Sequence, residues 1–384
     1  MKFEFATAAR IIFGQGTVKE VAPLASEMGN RALLVTGKNV ERAAHLLESL
    51  NKIGMKTFTF STPNEPTIKL AVDGVKLARQ NTCDVVIGIG GGSVIDTAKA
   101  VAALLTNSGD IMDYLEVIGQ GKRLHCISAP CIAIPTTAGT GAEVTRNSVL
   151  TSPENKVKVS LRSSTMLPDL AVVDPELTYS MPPSITASTG LDALTQILES
   201  FVSLNSNPLT DGICRNGLKR AACSLRRAFK DGSDTTAREN MAIVSLFGGL
   251  ALANSKLGAV HGFAGPMGAM FPAPHGVICA NLLPFVMEAN IRALQQHDSK
   301  QFLLRYDEVA QILTGKSDAG AENGIAWIHD LCEILDVPSL SNFGITKDHF
   351  PELVDKSKNT SSMKGNPVNL TDEDLTEILV KAVL

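Results

Sequence analysis

Nothing in the sequence pairs its cysteines: the seven are scattered, odd in number and without a Cys-x-x-Cys spacing. That argues against a disulfide framework and fits a reducing compartment. A basic surplus is also missing. The 35 Lys and Arg against 39 Asp and Glu leave a net charge of −4, without the electropositive footprint of a nucleic-acid partner. The pairs Lys219-Arg220 and Arg226-Arg227 read as a solvated helix face. No apolar run approaches the ~18 residues of a membrane span. The N-terminal MKFEFATAAR has no apolar leader core, so a cytoplasmic chain that does not enter membranes is expected. Internal repeats and low-complexity tracts are absent as well. Histidine is scarce, with seven in 384 residues.

What is present describes a well-buried globular chain. Hydrophobic residues make up 44% and the mean hydropathy is +0.12. The length exceeds what one core supports and suggests two domains. Up to residue 183, short β-rich runs alternate with helical stretches: Arg31–Thr36, Thr57–Phe60, Asp84–Ile89, Cys131–Ile134 and Leu170–Val173, with helices over Ile68–Gln80 and Val94–Leu105. The last three runs are continuously apolar, the mark of parallel strands covered on both faces. This is βαβ organisation and predicts an α/β, Rossmann-like dinucleotide-type domain over residues 1–183. Beyond Met181-Pro182-Pro183 strand signals nearly vanish. Helical periodicity over 186–203, 209–230, 235–257, 277–294, 299–313 and 320–335 predicts an all-α second domain over 184–384.

Three segments carry chemistry. Gly88-Ile-Gly-Gly-Gly-Ser93 ends a buried strand and opens a helix, where close backbone approach and free N–H groups favour an anion; a plain tight turn is the competing reading. Pro135-Thr-Thr-Ala-Gly-Thr-Gly-Ala-Glu143 follows a second strand, where open α/β sheets bind ligands; a self-capping turn competes. The third is GAVHGFAGPMGAMFPAPHG, with His261 and His275 in uncharged surroundings, read as a buried irregular loop between helices. Either histidine alone is compatible with a satisfied core residue. Upstream, Asp192, Gln196 and Glu199 share one helical face at i, i+4 and i+7. An inward carboxylate beside two buried imidazoles points to a metal. Glu199 is read as either a support for that site or a buried ion pair, and Cys279 as an inert buried thiol.

Arg10-Ile-Ile-Phe-Gly-Gln-Gly16, GGGSVIDTAK (90–99), PTTAGTGAE (135–143), LPDLAVVDPEL (167–177), GLDALTQILE (190–199) and HGFAGPMGAMFPAPHG (261–276) follow one another as in the iron-containing (group III) alcohol dehydrogenases, and the whole chain resembles that family. The resemblance implies a metal-dependent NAD(P)-linked oxidoreductase that interconverts a small alcohol and its aldehyde or ketone, acting as an aldehyde reductase. It implies NADP or NAD on the first domain and one divalent metal, Fe or Zn, on the second, with the substrate in a cleft between them. By position, Gly91, Gly92 and Ser93 resemble the pyrophosphate cradle, with Asp96 behind them. Thr136, Thr137 and Thr140 resemble the loop beside the adenine and ribose, Lys158 the family lysine, and Asn64 the asparagine of the second βα loop. Where NAD-preferring members often place an acid, this chain has Gly37 followed by Lys38, so acceptance of NADPH is expected.

Two positions depart from the family pattern. The metal set implied by the resemblance is an Asp, a His four residues on and two further His. Asp192, His261 and His275 match, but the fourth position is Gln196. An amide oxygen is a poor donor to softer metals, although three ligands still form a catalytic arrangement. Gly265 stands where many members carry another His, which implies a roomier pocket. Three alternatives compete. A dehydroquinate-synthase-like cyclase would need a denser set of basic residues. A metal-free reductase of the maleylacetate type would not need Asp192, His261 and His275. The third is a nucleotide binder with impaired catalysis. Phe3–Ile12 reads as an exposed apolar strand, predicting a homodimer through that edge.

Overall fold

The computed structural model describes residues 2–383, which form two compact units, residues 6–178 and residues 179–383 with residues 2–5. The chain divides at Thr178 rather than at residue 183, because Pro183 is already the first residue of a long helix instead of part of a linker.

The first unit holds strands β1 (Arg10–Phe13), β2 (Arg31–Thr36), β3 (Lys56–Ser61), β4 (Val85–Gly90), β5 (Cys131–Pro135), β6 (Asn147–Ser152), β7 (Val157–Arg162) and β8 (Leu170–Val173). Its helices are α1 (Val21–Met28), α2 (Ala44–Lys52), α3 (Ile68–Gln80), α4 (Gly92–Thr106) and the single turn α5 (Ile111–Tyr114). Six strands form a parallel sheet in the order β1-β8-β5-β4-β2-β3. The inner strands β4, β5 and β8 are buried at every residue, whereas the edges β1 and β3 are partly exposed, as the apolar runs predict. Side-chain alternation splits β2 between two cores. Leu33 and Val35 pack with Ala71, Val75 and Val101 of α3 and α4, while Ala32 and Leu34 pack with Val21, Leu46 and Leu50 of α1 and α2. The strand read over Phe3–Ile12 is shorter: only Arg10–Phe13 is strand, and it pairs with β8 inside the chain. The antiparallel hairpin β6–β7 lies outside the strand runs read from the sequence, although Val157, Val159 and Leu161 alternate with polar residues along β7.

The second unit is helical: α6 (Pro183–Val202), α7 (Pro208–Lys230), α8 (Thr235–Ser255), α9 (Ala259–Met270), α10 (His275–Gln296), α11 (Lys300–Thr314), α12 (Ala321–Ile334), α13 (Phe350–Lys358) and α14 (Asp372–Val383). Six of these match the periodic segments. The stretch read as an irregular loop is mostly helix: α9 spans it with Pro266 inside, and the chain turns 103° between α8 and α9. Composition misled there, because the first turns of α9 are buried and tolerate Gly where a neighbour presses close, as Met363 does at Gly262. Helix α10 is apolar enough to cross a membrane, but 78% of that apolar window is buried inside the unit, the position of a core helix.

In the first unit, α4 is tied to the chain beyond β5 by one buried cation. Lys99 donates to the carbonyls of Ala142 (2.9 Å) and Asn147 and to Thr145 Oγ1 (2.9 Å), and pairs with Asp96 at 3.0 Å. A second charge in this segment is not matched. Glu143 is 1% exposed, and neither carboxylate oxygen has a hydrogen-bond partner among the described residues. Burial pushes its pKa up to about 7. The folded state therefore holds a proton that the unfolded chain releases near its ordinary value, so this group's stabilisation is full in acid and falls as pH rises toward about 7. Glu143→Gln removes the titration. Its stability relative to wild type should rise by roughly 2.5 kcal/mol between pH 5 and pH 8. An unchanged difference across that range would mean that Glu143 is solvated or paired.

Candidate metal centre and nucleotide cradle

In the first unit, β2 and β4 are neighbours although the chain visits β3 between them, so the order in which strands are added across the parallel sheet reverses at this pair, where open α/β sheets bind ligands. Gly37 leaves the end of β2 and its Cα faces Val94 of α4, while Gly91–Ser93 leave the end of β4. The loop after β5 lies alongside. Thr136 N–H donates to Gly90 O at 2.9 Å, Gly91 faces Thr137, and a methyl on Gly92 would sit 2.8 Å from Thr140. Helix α4 starts at Gly91 without a side-chain cap, leaving its first N–H groups available to an anion. Gly37, Gly91, Gly92, Ser93, Thr136, Thr137 and Thr140 are thus brought to one sheet edge. Lys158, on β7, meets Glu65 at 3.0 Å, which puts it beside the loop of Asn64. Asp96 is engaged inward: besides Lys99 it accepts from Val149 N–H at 3.1 Å, so its carboxylate holds the hairpin in place.

In the second unit, Asp192 (α6), His261 (α9), and His275 and Cys279 (α10) gather their donor atoms within 4.8 Å of one another. Asp192 Oδ1 lies 3.3 Å from His261 Nε2 and 3.7 Å from His275 Nε2. Cys279 Sγ lies 3.8 Å from Asp192 Oδ1 and 3.9 Å from His261 Nε2. The close seating of α10 on α6 depends on Gly276, where a methyl would stand 2.0 Å from the Ser188 carbonyl oxygen.

His261 is oriented from behind. Glu199 Oε2 accepts from His261 Nδ1 at 2.7 Å, which places the ring proton on Nδ1 and leaves the Nε2 lone pair facing Asp192. The same carboxylate accepts from the backbone N–H groups of Val260 (2.7 Å) and His261 (3.4 Å). Asn366 Oδ1 takes the Ala259 N–H at 3.1 Å and forms a reciprocal amide pair with Asn290. Helix α9 has no cap of its own at Gly258; its cap comes from α6 and from near the C-terminus. Glu199 therefore supports the site, and Asn366, which completes the cap, is buried. No local pattern marks Asn366 in the sequence. Lys99 does have one, an Asp96/Lys99 pair at i, i+3 in a mostly apolar helix.

The electrostatics call for a cation. Burial alone would lower the pKa of His261, yet Cys279, Asp192 and Glu199 hold it well above the ordinary imidazole value. Burial opposes the charged form of His275 in the same way, and Cys279 and Asp192 raise it. For Asp192 burial works upward, but His275 and His261 keep it below its usual value. Cys279 is likewise lowered by the two imidazoles against the effect of burial. Acceptors that face each other across about 3–4 Å are stable only with protons or a metal ion between them. Buried carboxylate, imidazole and thiol donors at that spacing fit a divalent metal.

Gln196 is buried beside Asp192, and its amide contributes to keeping that carboxylate charged. Its Oε1 has no hydrogen-bond partner among the described residues and points at α8, where a methyl on Gly248 would sit 2.6 Å away. The amide oxygen at the fourth position of the implied metal set therefore lies against α8. Gly265 faces open space, with nothing within 4 Å of where its Cβ would stand.

The iron-containing alcohol dehydrogenase family matches residues 8–175, and the C-terminal domain of the Fe-containing alcohol dehydrogenase family matches residues 186–383. Alcohol dehydrogenase 4 of Saccharomyces cerevisiae is 35% identical over 378 residues, 96% of each chain. The 1,3-propanediol dehydrogenase of Klebsiella pneumoniae is 34% identical over 364 residues, 92% of each. The crystal structure of sulfoacetaldehyde reductase from Bifidobacterium kashiwanohense in complex with NAD+ superposes with a TM-score of 0.88 at 31% identity, covering 100% of this chain and 99% of that one. With an open α4 N-terminus on its parallel sheet and an ion-sized donor cluster on its helical unit, this chain belongs to the iron-containing alcohol dehydrogenases and is a metal-dependent alcohol/aldehyde oxidoreductase.

Proposed function

We propose that the chain reduces a small, weakly polar aldehyde with NADPH or NADH, using a divalent cation held by Asp192, His261 and His275. The observation that carries this reading is the ion-sized donor cluster with His261 oriented by Glu199. When bound, the cation polarises a carbonyl oxygen and the nicotinamide supplies hydride. The residues do the rest. Asp192 brings negative charge to the cation, and His261 presents Nε2 because Glu199 holds Nδ1–H. Partly buried His275 forms the more accessible side of the cluster. Gly91, Gly92 and Ser93 take the pyrophosphate at the start of α4, with Thr136, Thr137 and Thr140 on its flank. Open space at Gly265 and the neutral lining of α9 favour an apolar substrate over a phosphorylated one. No side chain at position 265 relays a proton, so the proton reaches the product alkoxide from water or the cofactor ribose. These donors support the metal reading over the metal-free reductase and the inactive binder. The reading includes a cytoplasmic homodimer formed through the open outer edge of β1.

The first test is elemental analysis of protein purified without chelators, followed by an aldehyde screen with both cofactors. About one divalent metal per chain and turnover of short aldehydes are expected; a metal-free chain that takes up none on reconstitution would overturn the reading. Glu199→Gln replaces the Nδ1 acceptor with an amide and should weaken metal affinity roughly 10–100-fold while helix content persists. The end of β2 offers no carboxylate to repel a 2′-phosphate, so Gly37→Asp should lower the NADPH-to-NADH ratio of kcat/KM at least about tenfold. An unchanged ratio would place the adenosine ribose elsewhere. Light scattering should report a dimer, and a monodisperse monomer would remove the β1-edge interface.

A further inference from the structure

We propose that Cys279 is the fourth protein ligand of the metal centre, in the coordination position that Gln196 does not fill, and that its thiolate turns the centre toward zinc. This rests on the metal reading above and adds a ligand to it.

The geometry carries the assignment. With metal–nitrogen and metal–oxygen bonds of about 2.0–2.1 Å and a metal–sulfur bond of about 2.3 Å, tetrahedral donors stand roughly 3.3–3.6 Å apart. The measured separations run from 3.3 Å for His261 Nε2 to Asp192 Oδ1 up to 3.9 Å for Cys279 Sγ to His261 Nε2, with every donor pair within 4.8 Å. Small side-chain adjustments bring all four onto one ion. His275 and Cys279 are one turn apart on α10, so the helix that delivers the accepted ligand delivers the thiol on the same face. The thiol meets Asp192 and His261 and also hydrogen-bonds with His275, all members of the same cluster. The other buried cysteines lack such surroundings: Cys83 and Cys131 pack in the core of the first unit, and Cys214 lies fully buried on α7.

Gln196 supplies the complementary half. It sits one turn after Asp192 on α6, yet its oxygen is directed at Gly248 and is unsatisfied there, while its amide braces Asp192. It is a positioning residue. Thiolate donors favour zinc or cobalt over harder ions, and zinc tolerates expansion to five ligands, so four protein donors do not close the centre.

Cobalt(II) titration of the full-length, metal-free protein tests this by absorption spectroscopy, independently of activity. Wild type should bind one cobalt per chain with an intense near-ultraviolet thiolate-to-cobalt charge-transfer band. Cys279→Ala should abolish that band and weaken binding at least about tenfold, whereas Gln196→Ala should keep it. Zinc should displace the cobalt from wild type with a larger affinity advantage than from Cys279→Ala. Cobalt bound without a charge-transfer band in wild type overturns the proposal and leaves the three-residue metal reading standing; this outcome does not depend on any variant folding. A band that survives in Cys279→Ala also overturns it. Failure of wild type to bind cobalt or zinc at all would remove the metal reading itself, and this proposal with it.

Discussion

The carboxylate of Glu199 holds together more of the helical unit's chemistry than any metal-ligating residue does. It accepts from two backbone N–H groups at the start of α9 and from the ring of His261 two residues into that helix. One group thereby caps a helix that has no cap of its own and fixes the ring orientation of a ligand. A negative charge at a helix N-terminus is favourable in itself, and here the same charge raises the basicity of the imidazole. The Asn366–Asn290 amide pair takes the remaining N–H at Ala259, so the entry of α9 is settled from two directions. Lys256, with φ of 62°, makes the sharp corner that brings α9 to them.

Helix N-termini are used in opposite ways in the two units. In the parallel-sheet unit α4 begins with glycines and no cap, so its electropositive end is left for an anion from outside the protein. In the helical unit the protein's own carboxylate fills the end of α9. The first helix end is a binding site, and the second is the mount for a histidine. Both depend on tight packing behind them. Lys99 and Asp96 hold the loop beyond β5 and the β6–β7 hairpin against α4, and Gly276 lets α10 lie on α6.

The amide at position 196 and the thiol at position 279 make sense together. On α6 the residue one turn after Asp192 turns to the space left by Gly248. On α10 the residue one turn after His275 turns to the cluster. Each is an i, i+4 neighbour of a donor, and spacing alone makes the two equally suitable. Side-chain chemistry separates them: the amide can hydrogen-bond Asp192 from the side, whereas a buried thiol beside two imidazoles has no comparable alternative.

Much of this was legible along the chain. Continuous apolar runs mark strands buried on both faces, so β2, β4, β5 and β8 are readable within a residue or two. Helix periodicity marks six long helices of the second unit. Asp192, His261 and His275, as well as the glycine and threonine loops, stand out because polar or small residues in apolar surroundings must have a partner. Tertiary packing decided the rest. The run around His261 reads as a loop because glycine and proline disfavour isolated helices, and the packing of its buried first turns makes it helical. Glu199, Asn366 and Cys279 could not be ranked by spacing, since their roles depend on partners 62, 107 and 87 residues away in sequence. Local pattern sets which face of an element is buried; which buried groups meet is set by how those faces pack.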